Sequence, residues 1–149
     1  MTDAIRVIRE LTSRTDEVLA LYRGAWWARD RVRADVEAML ASTPIHVGLV
    51  DLQTDELVAF CRALTDRSFV ALILDVIVAP ARRGQGLGAR LMNELLAIPE
   101  VRHAASIELV CQPELVPFYE RWGFSAEVGR STLMRKASLA KDGDHDSQV

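Results

Sequence analysis

The sequence is poor in the residues that build metal centres and disulfide frameworks. It holds two cysteines and three histidines in 149 residues. Cys61 and Cys111 sit in separate apolar runs, and His46, His103 and His145 are scattered. None has metal-ligand spacing to another, so no metal site is expected, and the cysteines read as small buried hydrophobes. Apolar runs long enough to cross a bilayer are also missing. The longest, residues 69–81, is interrupted by Asp75 and Pro80, which excludes a membrane-spanning helix there. Met1 to Arg9 lacks the apolar core of a signal peptide, so a cytoplasmic chain is the expectation. Excess positive charge is absent as well. Eighteen Lys and Arg against 21 Asp and Glu give a net charge of −3, which argues against a general nucleic-acid binder. Internal repeats and low-complexity segments are not seen.

What remains is an ordinary globular composition, half hydrophobic and 26% charged. A chain of this length fits one domain and can bury a core without staples. Residues 5–9 read as a first strand. Ser13 can cap a helix running to about Gly24, and a second helix spans about Arg31 to Leu40. Ile45 to Leu52 and Leu57 to Leu64 read as strands around a polar turn at residues 53–56, and Phe69 to Ala79 as the next. A helix ending near Pro99, a strand Ser106 to Cys111 and a helix from Pro113 to Trp122, stopped by Gly123, follow. Phe124 to Val128 and Ser131 to Arg135 read as closing strands. The order β-αα-βββ-α-β-α-ββ predicts a mixed α/β (α+β) sheet rather than a wholly alternating parallel one. The domain is placed at residues 1–136, and the polar stretch 137–149 reads as a flexible tail.

Residues 74–91 carry the chemistry. The β-branched run Val76-Ile77-Val78 ends at Pro80, which cannot donate to a continuing ladder. Glycines follow at 84, 86 and 88, and then Leu87, Leu91 and Leu95 fall on one helical face. A strand, a glycine-rich turn and a helix start form an anion site, because the first-turn N–H groups lack intrahelical acceptors and the helix dipole favours negative charge. The expected ligand carries a pyrophosphate. An ATPase loop needs Lys-Ser/Thr after the last glycine, where Ala89-Arg90 stands. Gly84-Gln-Gly86-Leu-Gly88-Ala89 does satisfy the dinucleotide pattern, with Glu108 in the next strand as the ribose-binding acid. Against it stand the four residues 80–83 before the first glycine and the hairpin upstream. A turn with no ligand leaves two of the three glycines without a reason. A coenzyme A pyrophosphate site is a further reading, and the others stay open on these residues alone.

Two motifs bear on that choice. Arg83-Gly-Gln-Gly86-Leu-Gly88 matches the Q/R-x-x-G-x-G/A signature of the GCN5-related N-acetyltransferase (GNAT) family, and Phe118-Tyr119-Glu-Arg-Trp-Gly123-Phe124 resembles that family's Y-E-x-x-G-F element. They stand the expected distance apart, across helix, strand and helix, and the resemblance covers about Ile5 to Lys136. It implies a GNAT-like, mostly antiparallel central sheet of about seven strands flanked by four helices. It also implies acetyl-CoA as co-substrate, no metal, and transfer of acetyl to a primary amine of a small molecule or peptide by direct attack in a ternary complex. Many such proteins are dimers, so a homodimer is compatible with the resemblance. The same fold could serve a non-catalytic acyl-CoA-binding module, and the glycine pattern alone a dinucleotide-binding regulatory domain.

Residue by residue, the resemblance implies that the main chain of Val76, Ile77 and Val78 pairs with the pantetheine arm. Arg83, Gly84, Gln85, Gly86, Leu87 and Gly88 would hold the pyrophosphate. Gln112 stands where many members carry an asparagine that contacts the cofactor, and Pro113 departs from that pattern. Tyr119 matches the general acid that protonates the departing thiolate. Asp75 interrupts an apolar strand beside the thioester, which makes it the leading candidate for a base or amine-binding group, ahead of Glu108 and Asp66; the alternative is a structural carboxylate. In the acceptor pocket Trp26 and Trp27 could wall an amine. Arg62 and Asp66, with Arg29 and Arg67, lie near the same region.

Overall fold

The computed structural model describes residues 4–138. Five strands form one sheet in the order β1-β2-β3-β4-β5. They are β1 Ile5–Ile8, β2 Ile45–Asp51, β3 Leu57–Thr65, β4 Val70–Val78 and β5 Ser106–Leu109. The first four pair antiparallel, and β4 pairs β5 in parallel. Five helices accompany them: α1 Thr15–Arg23, α2 Arg33–Ser42, α3 Leu87–Leu96, α4 Pro99–Arg102 and α5 Val116–Glu120. This consecutive, mostly antiparallel order is not a doubly wound sheet, which removes the structural setting the dinucleotide reading requires.

Strands β2 to β4 are almost continuously apolar because both faces of the sheet are covered. Val47, Leu49, Ala59, Cys61, Ile73, Val76 and Val78 pack under α3 with Leu91, Met92 and Leu95. On the other face, Val50, Phe60 and Ile77 pack with Val18, Leu21 and Tyr22 of α1 and Val36 and Leu40 of α2. Two irregularities in β4 matter for the site. Phe60 faces Ile77 while Arg62 faces Leu74, so Cys61 opposes both Asp75 and Val76: a β-bulge. The parallel ladder to β5 runs only from Val70↔Ser106 to Ile73↔Leu109. Beyond it β5 ends, and β4 runs on from Leu74 to Val78 with no strand of the described residues paired on that side.

Several expectations are corrected. The closing strands at 124–128 and 131–135 are not formed, so the described sheet has five strands rather than seven, with five helices rather than four. Phe124 packs against the core, but Val128, Leu133 and Met134 are 59%, 65% and 88% exposed. These side chains stay in solvent instead of seating the stretch on the core beside β5. Ser13 does not cap α1; residues 12–14 form a 3-10 turn, and Ser13 Oγ donates to Glu10 Oε2 instead. The short helix α4 was not foreseen. The polar stretch beyond residue 138 lies outside the described residues.

His46 in β2 is 7% exposed, and its Nε2 has no hydrogen-bond partner. Burial pushes its pKa down; Glu10 pulls it up and Arg62 pushes it down further. A neutral buried imidazole disfavours protonation in the folded state, so the unfolded chain binds more protons as pH falls. Stability is therefore full above the ordinary imidazole range of about 6.5 and declines as pH drops from there through the lowered folded value. Denaturant unfolding at pH 7.5 and 5.5 should show this loss, and His46→Phe should flatten it.

Candidate active site

The glycine turn follows the open edge of β4 in the chain. After β4, residues 80–82 form a 3-10 turn, Arg83 is extended, and Gly84 and Gly86 take φ of 79° and 82°. Gly86 is the residue preceding α3. Only glycine occupies that left-handed region without strain, and the space beside Gly84 and Gly86 is open at the start of α3, whose first amides lack intrahelical acceptors. Arg83 is only partly exposed. Its Nε donates to Val78 O (3.1 Å) and its Nη2 to Gly24 O (3.3 Å), tying the turn to the end of β4 and the end of α1. Arg82 donates to Asp51 (2.9 Å) and Gln85 (3.2 Å).

Hydrogen-bond direction divides the trio 76–78. The Ala79 N–H donates to Val58 O across the β3–β4 ladder at 2.8 Å. Main-chain groups alternate along a strand, so those of Ile77 also face β3, and those of Val76 and Val78 face the side on which β5 has ended. The Val78 carbonyl on that side is taken by Arg83. Ile77 thus contributes its apolar side chain to the core under α1.

Asp75 lies at the bulge with φ of 55°, 1% exposed. Its Oδ2 accepts from Tyr22 Oη (2.7 Å), Arg62 Nε (2.7 Å) and Arg31 Nη1 (3.0 Å). Oδ1 is buried with no partner. Burial would raise its pKa, but the Arg62 and Arg31 guanidiniums outweigh burial and hold the carboxyl below the usual carboxylate range. The Tyr22 phenol is pushed up by burial and by Asp75. Arg62 also reaches Thr43 Oγ1 (3.3 Å) at the end of α2. The Arg31 guanidinium lies 4.6 Å from the Tyr22 ring centroid and 5.3 Å from that of Trp27. Trp27 is 8% exposed and its Nε1 has no partner, whereas Trp26 is 52% exposed.

Other residues singled out in the sequence are placed as follows. Tyr119 on α5 is 1% exposed and packs edge-on against Phe118 (centroids 4.9 Å) and Phe124 (6.2 Å). Gln112 precedes the turn leading into α5 and is half-buried. Asp66 is not brought to the site. It sits in the β3–β4 turn, where its Oδ1 accepts from the N–H groups of Ser68, Phe69 and Val70, which lower its pKa. Glu108 is exposed on β5 and accepts from Ser106 Oγ. Arg62 is spent on Asp75. Sequence reasoning missed Arg31 and the hydroxyl of Tyr22 as partners. A buried acid must find donors, but a chain this rich in arginine does not say which.

Comparison with known proteins bears on this geometry. The model of the Acetyltransferase (GNAT) family matches residues 9–124. The chain is 30% identical over 112 residues to GCN5-related N-acetyltransferase 1, chloroplastic, of Arabidopsis thaliana, covering 75% of this chain and 56% of that protein. It is 39% identical over 70 residues to serotonin N-acetyltransferase 2, chloroplastic, of Oryza sativa subsp. japonica, covering 47% and 35%. It is 37% identical over 75 residues to GCN5-related N-acetyltransferase 2, chloroplastic, of Arabidopsis thaliana, covering 50% and 29%. The matched regions thus span between 29% and 56% of these relatives' length. In fold, the chain is similar to a GNAT-family protein of Xanthomonas campestris pv. campestris (TM-score 0.79, 24% identity, 93% and 95% covered). It is also similar to an aminoglycoside N-acetyltransferase solved in complex with CoA (TM-score 0.66, 15% identity, 89% and 94% covered). The family model spans both motifs and the whole β2-to-α5 frame, and the chain belongs to the GNAT acetyltransferase family.

Proposed function

We propose that this chain is an acetyl-CoA-dependent N-acetyltransferase that passes acetyl directly to a primary amine in a ternary complex. One observation carries the reading. The edge of β4 left open beyond Ile73↔Leu109 is followed in the chain by the turn at residues 80–82, the glycines at 84 and 86 and the first amides of α3. That is a single track with strand-pairing groups at one end and an anion site at the other. It fits an extended amide-bearing arm ending in a pyrophosphate. When bound, acetyl-CoA supplies an activated thioester. The Val76 carbonyl and the Val78 N–H receive the arm, and the Val76 N–H steadies the charge that develops on the acetyl oxygen. Gly84 to Gly88 hold the phosphates, while Arg83 keeps the turn in place through its two carbonyl contacts. Tyr119 gives a proton to the departing sulfur.

The amine must lose its proton before it attacks. Asp75 is a weak acceptor for it, since three donors converge on Oδ2 and two of them are guanidiniums. Water leading to solvent takes that role.

Ligand-induced stabilisation tests the cofactor assignment. At 100-fold excess over Kd, acetyl-CoA and CoA should each stabilise the chain by about 2.7 kcal/mol, raising Tm by several degrees, while NAD and ATP leave it unchanged. Gly86→Val, which forces a branched side chain to φ of 82°, should weaken acetyl-CoA at least tenfold, about 1.4 kcal/mol. Stabilisation by NAD but not CoA would overturn the reading.

A further inference from the structure

The β4 bulge inverts which main-chain groups face the open edge. Before it, Val70 O accepts from Asp66 N–H (3.3 Å), so the even-numbered residues 70, 72 and 74 turn their polar groups to β3. After it, Ala79 N–H donates to Val58 O (2.8 Å), so the odd-numbered residues 77 and 79 do so. Side chains invert with them: Ile73 packs under α3, while Asp75, two residues on, points to α1. A regular strand would turn the Val76 N–H into the β3 ladder. The extra residue at Asp75 releases it to the side where β5 has ended.

That arrangement needs a lock. A non-glycine residue at φ of 55° is strained, and bulges re-aim groups beside active sites. The Asp75 carboxylate receives one donor each from α1 (Tyr22), from β3 (Arg62) and from the connection between α1 and α2 (Arg31). Arg62 continues to Thr43.

We propose that Asp75 is a positioning residue whose ion pairs with Arg31 and Arg62 lock the bulge in the register that presents the Val76 N–H to the acetyl oxygen. The proposal rests on the acetyltransferase reading for its catalytic consequence, but the lock itself can be read without turnover. The charged and titratable groups facing Asp75 are Tyr22, Arg31 and Arg62, with Cys61 opposite on β3.

Arg31→Ala removes one arm at a side chain that is 22% exposed, so the fold should survive. Hydrogen exchange of this variant should show protection of the Ile77 and Ala79 amides, which face β3 beyond the bulge, reduced at least tenfold, with the Val47 and Leu49 amides unchanged. In turnover, kcat should fall about tenfold, the acetyl-CoA Kd should stay within about twofold, and the acidic limb of the pH–rate profile should not move. Asp75→Asn should lower kcat further, again without moving the limb, and Asp75→Gly, which tolerates the same φ, should not rescue it. Unchanged exchange in Arg31→Ala overturns the lock, whatever the activity. An acidic limb displaced upward in Arg31→Ala would make Asp75 the base, because losing a guanidinium raises its pKa, and would overturn the positioning role. A rise confined to KM for the amine would assign Arg31 to the acceptor and also overturn it. Absence of thiol release by the wild-type chain would instead count against the acetyltransferase reading, leaving the exchange result to decide the lock.

Discussion

Tyr119→Phe is expected to lower kcat about a hundredfold while leaving acetyl-CoA binding and the fold intact. The ring is 1% exposed and makes edge-on contacts with Phe118 and Phe124 that phenylalanine preserves. Only the hydroxyl is lost, so the cost to stability is about 1 kcal/mol. A thiolate leaving without a proton donor is a poorer leaving group, and positioned acids contribute about 10²- to 10⁴-fold. Steady-state kinetics beside a binding titration separate the two effects. An equal fall in affinity and turnover would place Tyr119 in the cofactor wall instead, and an unchanged kcat would remove it from the chemistry.

Arg62→Leu is expected to be the most destabilising single change near the site, by about 3–5 kcal/mol. The Arg62 side chain is 9% exposed and that of Asp75 is fully buried. Removing this partner leaves a buried carboxylate with Arg31 as its remaining cation. For a domain whose total stability is about 5–15 kcal/mol, this is a large share. The double variant Arg62→Leu/Asp75→Leu should recover much of the loss, since replacing both members of a buried pair is often near neutral. The pH dependence has a definite sign. The folded pKa of Asp75 is lowered, so its contribution is present above the unfolded value of about 3.9 and is lost as pH falls through the folded one. Urea unfolding of the three proteins checks both points. A loss below about 1 kcal/mol in Arg62→Leu would show that Arg31 and Tyr22 suffice to hold the charge.

These two residues show what could and could not be read in the sequence. Tyr119 stands out in the sequence only through the family resemblance carried by Gly123-Phe124 after it. The glycines at 84 and 86 were legible because a strand and a helical leucine stripe bracket them. Strands β2 to β4 were legible because burial on both faces leaves long apolar runs. Asp75 was visible only as an interruption. Its partners come from positions 22, 31 and 62, so no local pattern announces them, and the bulge that re-aims it is a matter of register between two strands. The trio 76–78 looked uniform in sequence, yet that same register divides it, with Ile77 turned to β3. Asp66 was readable in a different sense, since Asp-Arg-Ser between two apolar runs is ordinary turn chemistry. The two closing strands were read from local β-propensity, which cannot show that Leu133 and Met134 find nothing to pack on.

The open edge of β4 and the glycine turn are proposed to serve acetyl transfer to an amine. The most direct test is free-thiol release from acetyl-CoA by the purified chain across a panel of primary amines, amino acids and peptides, with mass detection of the product. Amine-dependent thiol release with stoichiometric N-acetylated product is expected, reduced about a hundredfold in Tyr119→Phe. Binding of acetyl-CoA with no thiol released by any amine would contradict that role and leave an acyl-CoA-binding module in its place.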